Sequence, residues 1–75
     1  MTEEKVITAV AFDADENKHD VRVAYTVHEH WLDRQKTIQV FDLQKDLTVD
    51  YSDLIFDVTE AIHKEEGRNF DLVFV

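Results

Sequence analysis

Residues 50–67, DYSDLIFDVTEAIHKEEG, decide the fold. Tyr51, Leu54, Ile55, Val58, Ala61 and Ile62 recur at spacings of three and four, which lines them along one stripe of an α-helix. Asp50 is a suitable N-cap, Asp53 falls in the first turn where the backbone dipole favours an anion, and Gly67 can take the left-handed conformation that ends a helix. The pattern predicts one amphipathic helix from about Tyr51 to Glu66.

The segments around this helix read as strands. After it, FDLVFV (Phe70 to Val75) alternates Phe70, Leu72 and Phe74 against Asp71, Val73 and Val75. Before it, Val21 to His28 alternates Val21, Val23, Tyr25 and Val27 against Arg22, Ala24, Thr26 and His28, the pattern of a half-buried antiparallel strand. Val6 to Phe12 (VITAVAF) is β-branched or apolar on both faces, which predicts a central strand. The polar run Asp13 to Asp20 is a hairpin loop, and Lys36 to Phe41 a third strand with Ile38 and Val40 on one face. Between them HEHWLDRQ (His28 to Gln35) extends the second strand as far as Trp31, with a turn at Leu32 to Gln35. A polar connection, Asp42 to Val49, leads to the helix.

The order is therefore βββαβ, an α+β domain with a mostly antiparallel four-stranded sheet and one helix on one face. A meander of the first three strands, followed by a crossover through the helix, suggests the sheet order 3-2-1-4, which puts the doubly apolar first strand inside. The fourth strand then forms an edge, with Val73 and Val75 on its outer face as candidates for self-association into a homodimer.

Seventy-five residues suffice for one hydrophobic core, so a single domain is expected over residues 1–75. The chain has no cysteine, hence no disulfide and no thiolate metal site. Its opening residues carry neither a basic run nor an apolar stretch long enough for a signal peptide or a membrane span, which predicts a soluble cytoplasmic protein. Seventeen acidic residues against eight Lys and Arg give a formal net charge of −9. Nucleic-acid binding depends on cations meeting phosphates, so direct DNA or RNA contact is disfavoured, as is an anionic membrane. A basic surface on another protein is the complementary partner.

Little in the chain supports catalysis or a cofactor. Its one serine, Ser52, lies at the helix start, where hydroxyl groups commonly cap, and Gly67 is the lone glycine, so no phosphate-cradling loop exists. Asp13-Ala14-Asp15-Glu16-Asn17 opens like a calcium loop, but the sixth and twelfth positions are Lys18 and Ala24 instead of Gly and Glu. His28 and His30 share a strand face and are the one pair from which a metal-dependent function could be built, given further ligands from His19 or His63. Trp31 reads as a sheet-edge or core aromatic.

Asp50, Asp53, Asp57 and Glu60 recur at three, four and three along the helix, away from the apolar stripe. Neighbours in such a row lie about 5–6 Å apart, near the spacing of phosphates along a nucleic-acid strand. Phe56 stands beside them, off the stripe. Together, Asp50, Asp53, Phe56, Asp57 and Glu60 predict the contact face of a small acidic adaptor or inhibitor, with mimicry of nucleic acid toward a nucleic-acid-binding protein as one form of it. The bland reading, an ordinary solvated helix face, competes with it directly.

Overall fold

In the computed structural model, which describes residues 2–32 and 34–75, backbone pairing begins with a long hairpin. Strand β1 (Thr2–Phe12) runs antiparallel to β2 (Lys18–Glu29), in register from Thr2 opposite His28 to Phe12 opposite Lys18. Strand β3 (Lys36–Gln44) pairs antiparallel with the other side of β2, helix α1 (Leu54–Glu66) follows, and β4 (Phe70–Phe74) returns parallel to β3. The result is a mixed four-stranded sheet with one helix, the α+β class that the hydrophobic patterns predict.

One face of the sheet is the core. Ala9 and Ala11 from β1, Val21, Val23, Tyr25 and Val27 from β2, and Ile38 and Val40 from β3 are buried with Val58 and Ile62 of the helix. The clean alternation of β2 thus does what its sequence implies. β3 is longer than predicted, because it crosses a bulge: Tyr25 faces Val40 while Ala24 faces Asp42. Phe41 is the extra residue, which lets both Val40 and Leu43 reach the core side.

The strand order is β1-β2-β3-β4, not 3-2-1-4. β1 is therefore an edge instead of a central strand, and its second apolar face is open: Val6 is 58% exposed and Val10 46%. Only the end of β1 meets the approach to the helix on its outer side, where Ser52 N–H donates to Phe12 O at 3.0 Å and Ala14 N–H to Asp50 O at 2.9 Å. β4 pairs instead with β3, from Lys36 opposite Phe70 to Val40 opposite Phe74, where Leu72 stands opposite Ile38 and packs against the core.

The same contacts delay the helix. Tyr51 forms an isolated bridge with Asp13, and its hydroxyl accepts a hydrogen bond from Asp46 N–H at 3.1 Å, so residues 50–52 serve the sheet. The N-cap is Asp53, not Asp50, and its side chain makes no capping hydrogen bond. At the far end Gly67 has a φ of 87°, and its N–H closes on His63 O at 2.9 Å. The stripe also differs at one position. Ile55 is 52% exposed, since at about 100° per residue it lies some 60° round from Val58, on the flank opposite Ala61, and the helix leans toward β1.

β2 ends at Glu29, short of Trp31. Arg34 N–H donates to His30 O and His30 N–H to Gln35 O, which closes the chain early and puts Trp31 in the turn, 83% exposed. Asp33, part of the predicted turn, lies outside the described residues.

Candidate functional site

The chain folds into an elongated body, 45 Å by 18 Å by 16 Å, and its charge is uneven along the long axis. One end collects the finish of β1, the start of β2, the finish of β3 and the start of α1. Asp13, Asp15, Glu16, Asp20, Asp42, Asp46, Asp50, Asp53 and Asp57 all belong to these segments, against Lys18, Arg22 and Lys45. The other end carries Lys5, Arg34, Lys36 and Arg68 among its acids.

Two aspartates hold the acidic end together. Asp13 Oδ1 accepts from the N–H groups of Asp15 and Asn17 at 2.8 and 2.9 Å, and Oδ2 meets His19 Nε2 at 2.7 Å. The His19 hydrogen bond, then the one from Asn17 N–H, hold its carboxyl down to about 2. Asp46 Oδ1 takes both the N–H and the hydroxyl of Thr48, and the hydroxyl first among causes lowers its pKa. In both loops the aspartate bonds the backbone two residues on, a turn-forming habit that the D-x-D-x-N spelling of the first contains. Asp13 thus serves the loop that its calcium-like spelling described. Asp46 was not singled out by the sequence.

Asp50, Asp53, Phe56 and Asp57 are brought to this end, but not as one row, and Glu60 lies farther along the helix, paired with Arg68 of the other end. Asp50 is exposed in the loop before the helix, and Asp53 is exposed at its N-cap. Asp57 turns toward β1, where its Oδ2 accepts from Phe12 N–H at 3.2 Å. Glu60 meets His63 Nδ1 at 2.6 Å and the Arg68 guanidinium at 3.4 and 3.5 Å. Its carboxyl sits below the usual range because of the His63 hydrogen bond first and that from Arg68 second. The even spacing fails because the helix starts only at Leu54, which leaves Asp50 outside it. Phe56 lies off the stripe and is 57% exposed, and exposed Ile55 lies next to it in the first turn.

At the opposite end, the His28 and His30 rings meet edge to face with centroids 4.8 Å apart. His28 Nδ1 is 2.8 Å from Thr2 Oγ1, and His30 Nε2 is 3.4 Å from Thr37 Oγ1. His19 and His63 are engaged with Asp13 and Glu60, and no group of three or more potential ligands forms among the described residues. No helix among those residues is long and apolar enough to cross a membrane.

Inside the body, a second polar cluster escaped the sequence reading. Glu66, whose side chain is 5% exposed, meets Lys5 Nζ at 2.7 Å, the Tyr25 hydroxyl at 2.8 Å and Lys36 Nζ at 3.8 Å. Burial pushes its carboxyl up, but the hydrogen bonds from Lys5 and Tyr25 outweigh it and hold the carboxyl below the usual range. The cluster ties the last helical residue to β1, β2 and β3. A role in structure follows from that placement.

No protein-family model matches the chain, and no curated protein or solved structure matches it.

Proposed function

We propose that this protein is a non-catalytic binding module that docks its acidic end on a basic surface of another protein. The observation that carries the reading is the first helical turn, where Ile55 and Phe56 stand exposed between Asp53 and Asp57. An apolar anchor inside a charged rim is a common anatomy for a protein contact, and the anchor supplies the affinity that solvated charges alone do not. Asp50, Asp53 and Asp15 carry the electrostatic part, which salt weakens. A partner that otherwise binds nucleic acid fits the charge, although the broken row of carboxylates favours mimicry less than an even one would.

The test compares capture of partners at low and high salt by the parent, Asp53→Lys and Phe56→Ser. Loss of the same salt-sensitive partner in both variants, with the fold intact by circular dichroism, supports the reading. Equal capture by all three overturns it. A second reading, assembly through the β4 edge, draws on the exposure of Val73 and Val75 beside exposed Phe41. A metal-dependent function through His28 and His30 is the weakest of the three, for want of a third ligand among the described residues.

A further inference from the structure

In an antiparallel pair the backbone groups of alternate residues point to opposite sides of the strand. Phe12 turns its N–H to Asp57 and its carbonyl to Ser52, both on the side away from β2. Val10, Thr8 and Val6 therefore turn their backbone groups the same way, and among the described residues nothing pairs with them. Such a row is a template for another strand.

The sequence of that row is close to a palindrome. Val6-Ile7-Thr8-Ala9-Val10 reads outward from Thr8 as Ile7 and Ala9, then Val6 and Val10. An antiparallel copy centred on Thr8 sets Thr8 opposite Thr8, exposed Val6 opposite exposed Val10, and large Ile7 opposite small Ala9. Beside this edge a groove of about 540 Å³ is bordered by the helix flank of Asp57, Ala61 and Lys64. These residues lie at i, i+4 and i+7, so they share a flank. Glu60 and Glu65 lie on the same flank, so it presents three acids and one base around its smallest side chain, Ala61. A two-fold axis near Ala61 brings Lys64 of each copy toward Asp57 of the other. A second copy is the occupant that the self-complementary register of Val6 to Val10 selects, since an unrelated peptide has no reason to match Val6 with Val10 and Ile7 with Ala9.

We propose that the protein forms a two-fold homodimer through β1, which joins two four-stranded sheets into one of eight strands. The contact is distinct from the β4 edge, and it is read on the purified protein alone, independently of any docking partner.

Sedimentation velocity from micromolar to millimolar concentration tests the proposal, together with amide exchange. The expected results are a dimer at the upper end, and exchange at Val6, Thr8 and Val10 that slows as concentration rises. Thr8→Lys sets two like charges opposite each other on an exposed face and raises the dissociation constant by up to about fivefold. Lys64→Glu weakens the dimer less, and Val73→Lys leaves it unchanged. Should Thr8→Lys fail to fold, the amide exchange of the parent still decides. A parent that stays monomeric at millimolar concentration, exchange at the three amides that ignores concentration, or a dimer lost in Val73→Lys but kept in Thr8→Lys overturns the proposal.

Discussion

The Tyr25 hydroxyl donates to the Glu66 carboxylate across 2.8 Å, which joins the middle of β2 to the last residue of the helix. Tyr25 is fully buried, so its hydroxyl has no water to turn to. Tyr25→Phe loses a hydrogen bond to a charged group and is expected to cost about 1.5–3 kcal/mol, and Glu66→Ala, which strands that hydroxyl and takes the carboxylate from Lys5 as well, at least as much. Urea unfolding of the two single variants and the double variant measures the coupling. Additive losses would mean that the two groups do not act together.

The same pair predicts behaviour in alkali. Burial first, then the hydrogen bond to Glu66, raises the Tyr25 pKa above its ordinary 10.0. A folded pKa above the unfolded one contributes stability that is complete below pH 10 and lost as pH rises past it. Tyr25 should ionise only as the chain unfolds. Phenolate absorbance that follows the loss of circular dichroism for one of the two tyrosines bears this out. Ionisation of both well before unfolding counts against it.

The helix was legible because a run of apolar residues at three-and-four spacing has few other solutions. Its start was not, since Asp50 and Asp53 are both able to cap and the choice was made by Phe12 and Asp13, which draw residues 50–52 into sheet contacts. Strand order was hidden for a similar reason. The alternation of Phe70 to Val75 fits beside β1 as well as beside β3, and VITAVAF is apolar on both faces whether the second face is covered by protein or left open. The charge of the candidate site could be read from composition, but which acids stay free could not: Asp57 finds Phe12 N–H and Glu60 finds Arg68 only through the fold, although the Glu60–His63 contact is an i, i+3 pair on the helix itself.

Acid should expose the role of Asp13. Its carboxyl, held by His19 and the Asn17 N–H, titrates at about 2 in the folded chain against an ordinary 3.8. A depressed folded pKa contributes stability that is complete above the unfolded value and lost as pH falls toward the folded one, here between about 4 and 2. Asp13→Asn should therefore lower stability at neutral pH and flatten its fall across that window. Thermal melts at pH 6, 4 and 2.5 provide the check, and parallel pH profiles for parent and variant would remove Asp13 from the account.

Two isoleucines on the helix separate the observed packing from the simple stripe. Ile62 is fully buried against the sheet, while Ile55 is largely exposed. Truncating a buried isoleucine loses its transfer energy and leaves a cavity, so Ile62→Ala should cost about 2–5 kcal/mol. Ile55→Ala should stay within about 0.5 kcal/mol, as surface substitutions usually do. Comparable losses at both positions would mean that the helix sits centred over the sheet instead of leaning to β1.

The last expectation concerns β4, whose parallel pairing runs from Lys36 opposite Phe70 to Val40 opposite Phe74. Leu72 is partly buried against the core, and behind it Ile38 is fully buried and Val40 nearly so. Removing Asp71 to Val75 takes away Leu72 and Phe74 and opens Ile38 and Val40 to water. A fully buried side chain of this kind contributes about 1.5–3 kcal/mol, and a partly buried one about half of that. The combined loss rivals the total stability of a small domain, about 5 kcal/mol, so the truncated chain should be largely unfolded in water. Val73 points away from the core and is exposed, so Val73→Lys should keep the melting transition of the parent. Cooperative melting of the truncated chain would show that β3 needs no neighbour on that side, and unfolding of Val73→Lys would show that the outer face of β4 is covered.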